Sequence, residues 1–161
     1  GAVAVNGFLY VMGGHTDPAA TLLTNNVSYV AIDPNTGLVS GSWTTSLAPL
    51  PAGRALFGIT VFANRIYITG GTLVPLGTAD ASCLYATVDP VSGANSGWTV
   101  TTAMTFARKA HGCVTVGHRL YVIGGLDDPA STKPMASVWS LNPAAPADGW
   151  RREADLPGST P

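Results

Sequence analysis

One six-residue stretch, Leu120-Tyr121-Val122-Ile123-Gly124-Gly125, occurs three times in this chain in closely related form. The other copies are Leu9-Tyr10-Val11-Met12-Gly13-Gly14 and Ile66-Tyr67-Ile68-Thr69-Gly70-Gly71. Their glycine pairs begin at 13, 70 and 124. A self-similarity with a period near 50 residues restricts the fold to repeat architectures, in which each unit is one supersecondary element stacked on its neighbours.

Around that stretch the units align throughout. A short apolar run precedes it each time: residues 1–5, 58–62 and 112–116. Two turn residues follow each run: Asn6-Gly7, Ala63-Asn64 and Gly117-His118. That spacing reads as a tight hairpin into a second strand at 8–12, 65–69 and 119–123. Each second strand stops at Gly-Gly, where positive φ and a close backbone approach become possible. Dissimilar loops, 15–26, 72–82 and 126–136, then lead to third strands at 27–32, 83–88 and 137–141. Those end at Asp33-Pro34, Asp89-Pro90 and Asn142-Pro143, which is strong turn chemistry in which Asp33 and Asp89 cap their own turns. Fourth strands are expected to start near Trp43, Trp98 and Trp150. No stretch sustains a 3.6-residue period, so the chain is predicted all-β, with helix nearly absent. Three four-stranded antiparallel units with this period are propeller blades, with bounds 1–53, 54–107 and 108–161.

The composition narrows the function classes. Charged residues make up 11% and the net charge is −1, so no field attracts nucleic acid or an anionic membrane. No apolar run is long enough to span a bilayer as a helix. Cys83 and Cys113 lie in different repeats without metal-ligand spacing and are read as two buried thiols. The low charge and the many Thr, Ser, Asn and Gly lean toward an extracellular or cell-surface setting. The start at Gly1 is read as a trimmed end.

The residues resemble the kelch repeat. The resemblance is carried by the glycine pairs, the later Trp in each unit, and a lead-in of the form Arg-x-x-His-Gly. Arg108-Lys109-Ala110-His111-Gly112 matches that lead-in, and Arg54-Ala55-Leu56-Phe57-Gly58 matches with Phe57 in place of His. The first repeat keeps only Gly1, and Ile32, Val88 and Leu141 stand where the family often has Tyr. The resemblance implies that first strands line a central channel and fourth strands lie at the rim. It also implies that Gly13, Gly14, Gly70, Gly71, Gly124 and Gly125 let blades approach. Trp43, Trp98 and Trp150 should pack between adjacent blades.

The loops after strand two and the links into the next blade open on one face. They collect His15, Asp17, Asp127, Asp128, Lys133, Arg54 and Arg108, with His111 nearby. In the kelch family this rim commonly binds peptides or other ligands. Two readings of Arg54 and Arg108 stand: forked recognition of an anionic group, or hydrogen bonds to backbone carbonyls that hold the links. His111 reads as a hydrogen-bonded structural residue. Asp127-Asp128 reads as a solvated turn, since calcium wants six to eight oxygens. No nucleophile elbow, phosphate loop or metal pair is present, so no catalytic residue, metal or cofactor is expected.

The sequence therefore points to a non-enzymatic propeller module that binds a protein, peptide or other ligand through its loop face. The rival is a sugar- or polyol-modifying enzyme at the channel mouth. Three blades make neither a ring nor a self-covered arc, so the expected partner is a second copy of the chain, closing six blades, or further blades of a longer chain.

Overall fold

The computed structural model describes residues 1–127 and 134–157. Twelve strands form three four-stranded antiparallel sheets, each in simple sequential order. Blade 1 holds β1 (Ala2–Val5), β2 (Phe8–Met12), β3 (Val27–Ile32) and β4 (Val39–Thr45). Blade 2 holds β5 (Gly58–Phe62), β6 (Arg65–Thr69), β7 (Cys83–Thr87) and β8 (Thr99–Thr101). Blade 3 holds β9 (Gly112–Val116), β10 (Arg119–Ile123), β11 (Val138–Leu141) and β12 (Arg151–Arg152). The one helical element among the described residues is a single 3₁₀ turn, Pro146–Asp148.

The turn chemistry acts as its residue types require. Asn6 and Gly7 take φ of 52° and 78°, the pair of left-handed conformations a two-residue hairpin needs. The Asx-Pro turns are closed by their own side chains. Asp33 Oδ1 accepts from the Asn35 amide at 2.8 Å, and Asp89 Oδ1 accepts from the Val91 and Ser92 amides at 2.8 Å. Those backbone donors hold both carboxyls below the usual carboxylate range.

The inner strands β1, β5 and β9 lie side by side, with β5 in the middle. The alternation of a strand sends successive side chains to opposite neighbours. In blade 1, Val3, Val5, Phe8, Tyr10 and Met12 face blade 2. There they meet Ile59, Val61, Ile66, Ile68 and Leu84 in the main apolar core. The second blade junction is smaller and more polar. Cys83, Met104 and Val122 form its buried centre. Beside it Thr60 and Thr115 share a 3.0 Å hydrogen bond, and Thr69 Oγ1 lies 2.8 Å from His111 Nε2. Both cysteines are free.

Two expectations need correction. The fourth strands do not start uniformly at the tryptophans: β4 begins at Val39, ahead of Trp43, whereas β8 and β12 begin just after Trp98 and Trp150. The tryptophans are also not equivalent. Trp98 packs against the core shared with blade 1. Trp150 donates from Nε1 to the Thr102 carbonyl of blade 2 at 3.0 Å. Trp43 is 49% exposed, because each indole packs toward the preceding blade and blade 1 is the first of the three.

Candidate functional site

The glycine pairs and the lead-in arginines form one device. Gly13, Gly70 and Gly124 take φ between 56° and 65°, and Gly14, Gly71 and Gly125 take φ between 93° and 104°. A Cβ on Gly13 would stand 2.5 Å from the Arg54 carbonyl oxygen, and one on Gly71 2.5 Å from that of Ala55. No side chain fits at either position, and the positive φ shared by all six glycines is why the pair recurs. The Gly14 amide donates to the Arg54 carbonyl at 2.8 Å, and the Gly71 amide to the Arg108 carbonyl at 2.9 Å.

The guanidinium groups then turn into their own blades. Arg54 Nη1 donates to the Gly70 carbonyl at 2.5 Å and to Asp80 Oδ1 at 3.0 Å, and Nη2 to Ser82 Oγ at 2.8 Å. Arg108 Nη1 donates to the Gly124 and Ser137 carbonyls at 3.0 and 3.2 Å, and Nη2 to Ser137 Oγ at 3.1 Å. Both arginines are buried, at 5% and 1% exposure. Their forks therefore serve the architecture. Ser82 and Ser137, each immediately before a third strand, are their recurrent partners. That matched pair of serines was a signal in the repeats that motif reading passed over.

The other predicted positions do not converge on one pocket. Asp17 is bound to its own loop: its carboxylate accepts from the Thr21 amide at 2.9 Å, the Thr21 hydroxyl at 2.7 Å and the Leu22 amide at 2.7 Å. Those donors, Thr21 foremost, lower its pKa. His15 is exposed and bridges Leu23 across the loop, and Asp127 is exposed. Asp128 and Lys133 lie outside the described residues. His111 is buried, and burial, with the Arg108 charge second, pushes its imidazole down to about 4. Among the described residues no cluster of three or more His, Cys, Asp or Glu is arranged to hold a metal.

Sequence reading also missed Lys109. Its stem is buried at 6% exposure, and Nζ donates to the Gly77 carbonyl at 2.8 Å, pinning the loop after β6 over the link into blade 3. That loop and its neighbours carry several open apolar side chains. Leu22, Leu56, Leu73, Val74, Leu76 and Phe106 are 40–76% exposed. All six lie in loops between second and third strands or in links between blades, at one end of the antiparallel sheets. Two clefts of about 500 Å³ lie elsewhere, one within blade 2 between Asn64 and the turn after β7, the other between that turn and the end of β4 in blade 1, and neither is lined by Arg54 or Arg108.

Three stacked four-stranded sheets, with inner strands adjacent and glycine-pair junctions repeated between them, define a segment of a β-propeller. The chain is similar to the kelch repeats of such propellers. The Kelch motif matches residues 107–157, the third blade. The chain is 26% identical over 156 residues to Kelch-like protein 35 of Mus musculus, covering 96% of this chain and 22% of that one. It is 30% identical over 94 residues to Kelch-like protein 25 of Xenopus tropicalis, covering 58% of this chain and 15% of that one. The chain thus spans under a quarter of the length of these relatives. Among solved structures, that described as "Structure of YjhT" superposes with a TM-score of 0.72 at 18% identity, over 98% of this chain and 52% of the other.

Proposed function

We propose that this chain is a non-enzymatic kelch-type module that binds a protein through the loop face of its propeller, as part of a completed ring. The observation that carries this reading is the division of labour on that face. The arginines that would have made an anion pocket are buried and bonded to Gly70, Gly124 and the serines. The side chains left to meet a partner are the apolar ones, from Leu22 to Phe106. Exposed apolar side chains rimmed by polar groups are the usual mark of a protein-interaction surface. His15, Asp17 and Asp127 supply that polar border from adjacent loops.

A peptide-display selection on the immobilised protein, followed by anisotropy titration of the selected peptides, tests this. Leu76→Asp and Phe106→Asp are expected to weaken binding at least tenfold while the folded signal stays unchanged. Peptides that bind both variants as well as the wild type would remove the loop face from the proposal.

A further inference from the structure

Two leucines of the middle blade stand in a backbone conformation that their residue type disfavours. Leu56, in the link into blade 2, has φ of 56°, and Leu76, in the loop after β6, has φ of 52°. In the left-handed region a Cβ is crowded by the following carbonyl, a penalty that glycine escapes and asparagine offsets. Among the described residues the other non-glycine positions with positive φ are Asn6, Ala20, Ala63 and Ala110. Ala110 holds the place of Leu56 in the next link, with φ of 53°, so the link itself does not require a leucine. At Leu76 the turn is tight: the Gly77 amide donates to the Val74 carbonyl at 3.0 Å. Pro75 fixes its own φ negative, so positive φ at the next residue makes a type II turn, whose third position is ordinarily glycine.

Burial does not offset this strain, since Leu56 is 49% and Leu76 is 76% exposed. Both are nonetheless held from one dipeptide, Lys109-Ala110. The Ala110 amide donates to the Leu56 carbonyl at 2.7 Å, and Lys109 Nζ donates to the carbonyl of Gly77, next to Leu76, at 2.8 Å. The Thr72 hydroxyl, on the Val74 carbonyl at 2.5 Å, braces the other end of the turn. Strain that the surroundings hold in place, and that no internal packing explains, marks a binding position.

We propose that Leu56 and Leu76 are paired apolar anchors of the loop face, and that the protein segment they take is apolar at its centre and basic on both sides. This rests on the protein-binding reading above and names the chemistry of its ligand. The charge follows from what the face has left to offer. The loops between second and third strands hold three described carboxylates, Asp17, Asp80 and Asp127, and no described lysine or arginine. Asp80 is paired with Arg54 at 3.0 Å. That leaves Asp17 in blade 1 and Asp127 in blade 3, on either side of the blade that carries the leucines. The cations of the links, Arg54, Arg108 and Lys109, are buried. A segment crossing from blade 1 to blade 3 meets a carboxylate, the two leucines and a second carboxylate. Lysine or arginine at its ends complements that order, and acidic ends are repelled by it.

Peptide display on the immobilised protein, with anisotropy titration of the selected peptides, tests both parts. The selected sequences are expected to carry apolar residues between Lys or Arg, and exchanging those basic residues for Glu should weaken binding by about tenfold or more. Leu56→Gly and Leu76→Gly are each expected to weaken binding by about tenfold or more. Their urea midpoints should hold or rise, because the left-handed backbone is then unstrained. Leu56→Asn and Leu76→Asn, which also suit that backbone, give the same reading if a glycine loosens the loop. Selected peptides with acidic or uncharged ends overturn the proposal. So does full binding by the glycine variants, or a urea midpoint that falls in both the glycine and the asparagine variants. Peptides that lose affinity on Phe106→Asp but not on Leu56→Gly or Leu76→Gly would leave the loop-face reading standing while this one fell. A selection that yields no binder removes both.

Discussion

The Arg108 carbonyl accepts from the Gly71 amide of blade 2 at 2.9 Å, and the Arg108 side chain donates to the Gly124 carbonyl of blade 3 at 3.0 Å. One residue thus ties two successive glycine pairs together. Arg54 does the same between Gly14 and Gly70. Backbone groups buried at a junction must be paired. A guanidinium has enough donors in a fixed fork to satisfy a strand-end carbonyl and the residue before the next strand together.

Replacing Arg108 by Ala removes three hydrogen bonds and leaves the buried Gly124 carbonyl without its donor, while the Ser137 carbonyl keeps the Gly124 amide. Unfolding by urea is expected to show a loss of about 3 kcal/mol or more. Arg108→Lys should recover less than half of it, because an ammonium cannot span Gly124 and Ser137 as a planar fork does. A loss within experimental error for Arg108→Ala would mean that the junction is held by the backbone alone.

Gly71→Ala and Gly37→Ala separate crowding from conformation. Both glycines have positive φ, 93° and 70°. Only Gly71 has a backbone oxygen 2.5 Å from the new Cβ. Gly37→Ala should cost about 1–2 kcal/mol for the left-handed conformation alone. Gly71→Ala should cost clearly more in the same denaturation experiment, or prevent folding.

His111 makes stability depend on pH. Its folded pKa is lowered to about 4 from 6.5, so the unfolded chain binds the proton first. Its contribution is complete above pH 6.5 and is lost as pH falls toward 4. The loss reaches on the order of 3 kcal/mol at the low end. In denaturation curves between pH 7 and 4, His111→Phe, which places in this junction the residue that Phe57 supplies in the other, should flatten this dependence whatever it does to stability at pH 7.

Burial pushes the Cys83 thiol up to about 12 and the Cys113 thiol to about 11. The thiolate is the reacting form. Ellman's reagent should therefore leave both unmodified in the native protein at pH 8, and titrate two thiols in guanidinium. Rapid reaction of either in buffer would show that the junction between blades 2 and 3 opens.

Trp98→Ala should lower stability by about 2 kcal/mol, toward the low side of buried aromatic truncations because the indole is partly open. Trp43→Ala should stay within about 0.5 kcal/mol for an isolated chain.

Much of the strand plan was legible in the sequence. The bounds of β2, β3, β5, β6, β9 and β10 follow from the apolar runs between turn residues, since those turns are set by local φ preferences and by Asx caps that act within three residues. The glycine pairs were legible for the same local reason. The fourth strands were not, because a rim strand is held by one neighbour and its length depends on what the third strand offers: seven residues in β4, three in β8, two in β12.

By itself, the sequence determined the repeat, the blade, and the positions where only glycine or a turn residue can stand, because those depend on contacts within about one unit of chain. The tertiary structure decided the fate of the functional candidates. It buried Arg54 and Arg108 against carbonyls 16 residues further along the chain, closed Asp17 onto its own loop, and left Trp43 open while covering Trp98. A side chain's chemistry becomes available or spent according to what folding brings against it: strand-end carbonyls of the same blade for the arginines, its own loop for Asp17, and a neighbouring blade for Trp98, none of which a residue pattern contains.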